Sequence, residues 1–172
     1  MSSFFQNLLL FFGEDYSRVA DQGSLTSIAS HLSGLFVENY VEQRTQDDAD
    51  PRDWLDEQLR QVFDLDVYHT EFPRERGYEI YEGRASAVLL LRMEDLNSCG
   101  RVAFKEFLNI DDFSVANANV GSDKSYALLY ETFQSELTLP QEYLDSMYGS
   151  RMARHFYSAE ELSEFRSRWK EY

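Results

Sequence analysis

Cysteine is nearly absent from this sequence: Cys99 is the single cysteine among 172 residues. One cysteine excludes a disulfide within the chain and every metal site built from several cysteines. This usage is typical of a reducing compartment, so we expect a cytoplasmic protein. A chain of this length buries a core of ordinary size without disulfides or metal.

Basic residues are also scarce, with 16 Lys plus Arg against 31 Asp plus Glu and a formal net charge of −15. Nucleic-acid-binding surfaces use Lys and Arg to displace counterions from phosphates, and anionic membranes attract the same residues. The charge therefore argues against both kinds of partner. Acidity is concentrated between Glu42 and Asp66, and a solvated face is the simplest interpretation of that segment.

Long apolar runs are missing as well. The stretch at residues 8–12 is far shorter than the roughly 20 apolar residues that a membrane-spanning helix needs. No basic segment and no small-residue cleavage site indicate a signal peptide. We therefore expect no membrane span, although an apolar stretch that begins near Met1 is typical of the middle of an element.

Apolar side chains are nevertheless plentiful, since 43% of the residues are hydrophobic, including 13 Phe and 11 Tyr. They can form a core, and no repeat or linker divides the chain, so we predict one domain over residues 1–172. Periodicity predicts an α/β chain that is mostly helical. The predicted helices are 24–40, 51–63, 100–108, 124–137, 140–154 and 159–171, and the predicted strands are 67–69, 78–82 and 87–91.

Two local patterns are especially informative about the fold. Residues 87–91 form a continuous apolar run, which is typical of a strand buried on both faces. Ser158 and Glu161 form a Ser-x-x-Glu capping box, which predicts the start of the last helix.

Familiar catalytic signatures are absent from the sequence. It has no phosphate-binding Gly-rich loop, no nucleophile elbow and no His-Glu-x-x-His pair. His31, His69 and His155 lie far apart, and a structural role is the simplest interpretation, although basic neighbours of His155 would suit an anion. Cys99 has no adjacent base, so we expect an inert thiol.

Charged residues gather where the apolar strand ends, at Arg92, Glu94 and Asp95. In open α/β sheets ligands bind beyond the carboxyl ends of parallel strands, so this strand-end cluster is a candidate site. The alternative is that Glu94 and Asp95 cap the next helix while Arg92 pairs locally.

A second candidate is the segment from Asn119 to Lys124, which leads into a predicted helix. Gly121 and the backbone N–H groups near a helix N-terminus, next to a lysine, suit a phosphate or sulfate. The alternative is a turn capped by Ser122 or Asp123, which needs no ligand.

A series of short motifs occurs along nearly the whole chain. They are 2–7, 54–56, 63–68, 77–81, 92–96, 119–121 with Lys124 and Tyr126, 143–148, and 155–161 through Trp169. In the order of these motifs the chain resembles the capsular polysaccharide synthesis proteins, which are related to carbohydrate sulfotransferases of the P-loop class. The resemblance implies the helix-rich C-terminal part of a sulfotransferase-like P-loop fold with a small, partly parallel sheet.

The same resemblance implies transfer of a sulfuryl group from 3′-phosphoadenosine 5′-phosphosulfate to a sugar hydroxyl. A base takes the hydroxyl proton, and positioned groups neutralise the transferred charge. By its place in the family pattern, Ser2 matches the serine that holds the donor 3′-phosphate. Lys124, with Asn119, Gly121 and Ser122, would contact donor or acceptor anions.

In the relatives, the donor-site arginine and the 5′-phosphosulfate loop precede the segment that matches Ser2. We therefore expect an N-terminally truncated domain that is inactive in sulfuryl transfer as this chain. Arg92, Glu94 and Asp95 would organise the strand end, and the catalytic base is unassigned. The alternative is a non-catalytic, helix-rich binding or assembly module. A strand at 88–91 without parallel neighbours predicts a homodimer through an exposed sheet edge.

Overall fold

The computed structural model describes residues 24–42, 54–84, 86–116 and 126–171. Over these residues the chain is α/β and helix-rich, which confirms the predicted class. The helices are α1 (Leu25–Phe36), α2 (Trp54–Phe63), α3 (Leu96–Leu108), α4 (Ala127–Glu136), α5 (Gln141–Tyr148), α6 (Arg151–Phe156) and α7 (Ala159–Ser167). The strands are β1 (Tyr78–Glu82), β2 (Ala87–Leu91), β3 (Thr138–Leu139) and β4 (Lys170–Glu171).

These residues fall into two compact units. The first unit contains residues 24–42, 126–143 and 168–171, and the second contains residues 54–84, 86–116 and 144–167. The single domain over residues 1–172 stays a prediction.

The first unit is built around helices α1 and α4. Ser24 caps α1, because its hydroxyl accepts a hydrogen bond from the Ser27 N–H at 3.2 Å. The ring of Phe36, at the end of α1, packs edge-to-face against Phe133 of α4, with 6.1 Å between the centroids. Strands β3 and β4 pair in parallel and form a two-stranded sheet of their own.

The second unit contains an antiparallel hairpin rather than a parallel sheet at the apolar run. Strands β1 and β2 pair so that Tyr78 lies opposite Leu91 and Glu82 lies opposite Ala87. The prediction that Ala87–Leu91 is a strand is confirmed, and its neighbour in the sheet is the antiparallel strand β1.

Packing on both faces of the hairpin explains why β2 is apolar throughout. Val88 and Leu90 pack against a core cluster that includes Val67 and Phe72. Leu89 and Leu91 pack against a second cluster, which includes Cys99 of helix α3. A two-stranded sheet between two apolar layers therefore requires the same continuous run as a central parallel strand.

The starts of three helices can be compared with the sequence prediction, and local structure explains each outcome. Helix α3 begins four residues before the predicted start, after a 3₁₀ turn at Met93–Asp95. The predicted helix 140–154 is two helices, since the Ser150 hydroxyl accepts from the Ala153 N–H at 3.1 Å and starts α6. The capping box of α7 is confirmed: the Ser158 hydroxyl accepts from the Glu161 N–H at 3.2 Å, and Glu161 accepts in return from the Ser158 N–H at 2.7 Å.

Candidate functional site

Arg92 is the buried centre of the predicted strand-end cluster. It directly follows β2, its N–H donates to the Gly77 carbonyl at 3.0 Å, and only 8% of its surface is exposed. Gly77 has a φ of +75°, and a Cβ at that position would lie 2.6 Å from the Asp95 Cβ. A glycine is therefore required where the turn before β1 passes the cluster.

All three guanidinium nitrogens of Arg92 are engaged. Nε donates to the Asp95 carboxylate, and Nη2 donates to the Arg74 carbonyl at 2.9 Å. Nη1 donates to the Glu161 carboxylate at 2.9 Å and to the Phe156 carbonyl at 3.1 Å. Burial alone would lower the pKa of Arg92, but the bonds and charges of Asp95 and Glu161 outweigh it and raise that pKa. This arginine therefore acts as a structural centre and has no open side for an anion.

Glu161 joins the strand end to the last helix. Burial would raise its pKa, but the Ser158 N–H and the Arg92 charge lower it below the ordinary value. One carboxylate thus serves as half of the α7 capping box and as the partner of a buried arginine.

Glu94 contacts the same C-terminal segment through Tyr157. The Tyr157 hydroxyl donates to the Glu94 carboxylate at 3.0 Å, and its ring lies 5.3 Å from the Arg92 guanidinium carbon. Burial, followed by the Glu94 charge, raises the pKa of Tyr157 to about 12, so the phenol is neutral at ordinary pH. The structure brings Arg92, Glu94 and Asp95 together and adds a tyrosine to them.

The local alternative for this cluster is correct in part. Arg92 does pair with Asp95, three residues later. Asp95 lies at the N-cap of α3, but its side chain makes no cap hydrogen bond. The contacts to Phe156, Tyr157 and Glu161 could not be read from local sequence, because these residues lie more than 60 positions away.

The predicted donor contacts lie outside the described residues. These are Ser2, Asn119, Gly121, Ser122 and Lys124. Their roles stay predictions.

His155 has a structural environment rather than an anion site. Its ring lies 4.7 Å from that of Phe156 and 4.9 Å from that of Tyr68, centroid to centroid. It hydrogen-bonds the Val67 backbone, and its buried Nε2 has no partner among the described residues. Burial lowers the pKa of His155 below its ordinary value. Arg74 donates to the His155 carbonyl at 3.3 Å, and its charge lowers the pKa of the ring further.

An acidic cavity beside β1 is a feature that the sequence did not predict. Its volume is about 540 Å³, and we name it the β1 groove. It is lined by Asp64, Leu65, Asp66, His69, Thr70, Glu71, Glu79, Ile80, Tyr81 and Glu82. A cavity of about 390 Å³ adjoins it through three shared residues of β1 and adds Glu106.

The charges of the groove are only partly balanced. Asp66 pairs with Arg60 at 2.8 Å, and Asp64 lies 3.9 Å from Arg84, both at exposed positions where ion pairs contribute little. The acidic run at Glu42–Asp66 is the one sequence feature that could have pointed to this groove, but it supplies only two of the lining carboxylates.

No group of three or more His, Cys, Asp or Glu among the described residues is arranged to hold a metal ion. None of the described helices is both long and apolar enough to cross a membrane.

A protein-family model matches most of the chain. The model of the NKWYS family, described as putative capsular polysaccharide synthesis protein, matches residues 34–158. No curated protein and no solved structure matches the chain. The matched range includes the whole strand-end cluster and every residue that lines the β1 groove, whereas Glu161, which pairs with Arg92, lies beyond it.

Proposed function

The chain belongs to the NKWYS family, whose description indicates capsular polysaccharide synthesis, and from this premise we propose that it is a sulfotransferase-like protein of that process. The family match over residues 34–158 is the observation that carries the proposal. The proposed donor is 3′-phosphoadenosine 5′-phosphosulfate, and the proposed acceptor is a carbohydrate hydroxyl in the cytoplasm.

The donor carries several negative charges, so its binding requires positive groups or backbone N–H groups that are not already engaged. Because the guanidinium nitrogens of Arg92 already donate to groups of the fold, we assign this residue a structural role and not a contact with the sulfuryl donor. Donor contacts are therefore proposed at Lys124, with Asn119, Gly121 and Ser122, and at Ser2 for the 3′-phosphate.

A non-catalytic binding or assembly module is the second candidate. The full engagement of Arg92 favours it, because this buried positive charge at the strand end is satisfied within the fold. In this alternative the chain binds a carbohydrate but transfers no sulfuryl group.

Self-association is proposed together with either function. The β1–β2 sheet has two strands, so within the described residues each of them has an unpaired edge. A second copy could pair with that edge and form a homodimer.

Calorimetric titration with 3′-phosphoadenosine 5′-phosphate tests the donor proposal. We expect binding by the full chain, and Lys124→Ala should weaken it about tenfold, which is the scale of one charge-assisted hydrogen bond. Lys105→Ala is the matched control, since Lys105 is an exposed lysine that pairs with Asp111.

Transfer of labelled sulfate from the complete donor to capsular oligosaccharides then separates the two candidates. Nucleotide binding with transfer supports a sulfotransferase. Absence of heat at millimolar nucleotide overturns the donor proposal and supports the binding module.

A further inference from the structure

The ring of His155 is held with one of its nitrogens sealed from solvent. It packs against the rings of Tyr68 and Phe156 and lies 6.4 Å from that of Phe72, centroid to centroid. Nε2 is buried and has no hydrogen-bond partner among the described residues, so the bond to the Val67 backbone belongs to Nδ1, which donates. A second proton would place an N–H donor and a positive charge where the described residues offer no acceptor.

Charges around the ring also oppose its protonation. Arg74 and Arg151 add positive charge near His155, and the exposed Asp66 carboxylate acts against them. Tyr68 also faces the ring, and its phenol carries no charge below about pH 10. The surroundings therefore favour the neutral imidazole on two independent grounds, burial without an acceptor and repulsion by cations.

The backbone beside this ring carries the contacts that join α6 to the strand end. Arg74 donates to the carbonyls of Arg154 and His155, at 2.8 and 3.3 Å. Arg92 donates to the Phe156 carbonyl at 3.1 Å and to the Arg74 carbonyl at 2.9 Å. Two arginines thus bind three successive carbonyls at the end of α6, so a displacement of His155 disturbs both of them.

We propose that His155 is an acid-sensitive switch: when it is protonated, its ring leaves the aromatic pocket and residues 151–167 open locally. Outside the pocket the charged ring has water as a hydrogen-bond partner, which the pocket denies it. Opening breaks the bond from Arg92 to Phe156 and separates the Tyr157 hydroxyl from the Glu94 carboxylate, which lie 3.0 Å apart in the closed form. The proton is the ligand that binds the open form more tightly.

The rest of the unit has the means to stay folded during this opening. Helix α3 and the β1–β2 hairpin share a core cluster of their own, formed by Tyr78, Cys99 and Ala103. Segments with separate contacts open with separate free energies. If the buried ring takes up no proton and the released ring has the ordinary pKa of about 6.5, a change from pH 8 to pH 5 favours the open form by up to about 30-fold.

Hydrogen exchange of the full chain, followed by mass spectrometry at about pH 8 and pH 5 with and without about 1 M urea, tests the proposal. After correction for the intrinsic exchange rate, protection in residues 151–167 should fall by up to about 30-fold at the lower pH. Local opening exposes little surface, so urea should leave that protection nearly unchanged, whereas it should lower the protection of the hairpin. At pH 5 most carboxyl groups are still ionised, since their ordinary pKa is about 4, so Asp95 and Glu161 keep their pairing with Arg92.

Variants identify the group that takes up the proton. His155→Gln and His155→Phe cannot be protonated there, so each should lose the acid-dependent fall of protection in residues 151–167. His69→Gln is the matched control, because His69 is an exposed histidine of the same compact unit, and it should respond to acid like the natural chain. Far-ultraviolet circular dichroism verifies that each variant is folded.

Two results would overturn the proposal. If residues 151–167 and the hairpin show the same protection and the same urea dependence in the natural chain, the segment opens only by global unfolding. If the acid response persists in both His155 variants, another group takes up the proton. The first result needs no variant, so the proposal stays testable even if a substitution at His155 prevents folding.

Discussion

Arg92 illustrates how a single buried charge organises this fold. A guanidinium removed from water is tolerated only when its donors are satisfied and its charge is balanced. Here two carboxylates and two carbonyls do this, and they come from the turn before β1, the start of α3 and the segment around α7. Removal of the guanidinium therefore affects several elements at once.

Arg92→Met should lower the free energy of unfolding by about 3 kcal/mol, because Asp95 and Glu161 lose their cation and two carbonyls lose their donor. Equilibrium unfolding in urea measures the change. Arg101→Met is the control: Arg101 is exposed and donates to the Asp111 carbonyl at 3.3 Å, so its loss should change stability by at most about 0.5 kcal/mol. Equal effects of the two variants would contradict the structural role of Arg92.

His155 makes stability depend on pH. Its lowered pKa means that the folded state binds its proton less readily than the unfolded state does. Arg74 and Arg151 add to this effect, and Asp66 opposes it. The neutral ring therefore contributes full stability above the unfolded pKa of about 6.5, and that stability is lost as pH falls below it.

Urea unfolding at pH values above and below about 6.5 checks this sign. His155→Phe should lose less stability on acidification than the natural chain, because phenylalanine takes up no proton. Phe72→Leu loosens the same aromatic cluster without removing a titratable group, so it should lower stability equally at both pH values. A steeper acid loss in His155→Phe would show that the proton acts elsewhere.

Sequence reasoning at this scale found the residues but not their partners. Arg92, Glu94 and Asp95 were recognisable because charge follows an apolar run abruptly. Glu161 lies 69 positions away from Arg92, and no local pattern encodes that contact. Long-range pairing of this kind depends on the tertiary arrangement of the whole unit.

At the scale of elements, caps were the most reliable signal. Ser24 and Ser158 start helices as predicted, since N-cap chemistry depends on a few adjacent residues. The apolar run of β2 was correctly predicted to be a strand, but the strands beside it could not be predicted. A hairpin between two apolar layers and a central strand of a parallel sheet require the same sequence pattern.

Ser158→Ala should lower the free energy of unfolding by about 1 kcal/mol, the usual effect of losing an N-cap hydroxyl. The Glu161 N–H would lose its acceptor, and the carboxylate that also binds Arg92 would be less well positioned. Urea unfolding gives the value. Ser163→Ala, at an exposed site within α7, should be neutral or slightly stabilising, since alanine is the better helix former. Stability unchanged by Ser158→Ala would mean that the box contributes nothing.

At the scale of the whole molecule, the net charge of −15 was known from the sequence, but its arrangement was not. The acidic run up to Asp66 contributes two carboxylates to the β1 groove, and the others come from Glu71 and from β1. These residues meet because the hairpin passes beside the end of α2, which is a consequence of tertiary structure and not of composition.

The same net charge acts against the proposed homodimer. Two copies with −15 each repel, whereas pairing of sheet edges attracts. Salt shortens the screening length from about 10 Å at 0.1 M to about 3 Å at 1 M, so it should weaken the repulsion more than the hydrogen bonding. We therefore expect self-association that strengthens with added salt.

Sedimentation over a range of protein and salt concentrations measures this association. The average mass should rise above the 20.2 kDa of one chain as salt increases. Ala87→Lys places a charge at the exposed start of β2 and should keep the mass at one chain, because a lysine at a strand edge opposes pairing. Ala116→Lys, at an exposed position outside the sheet, should associate like the natural chain. A natural chain that stays at 20.2 kDa at high salt and high concentration would disprove the homodimer.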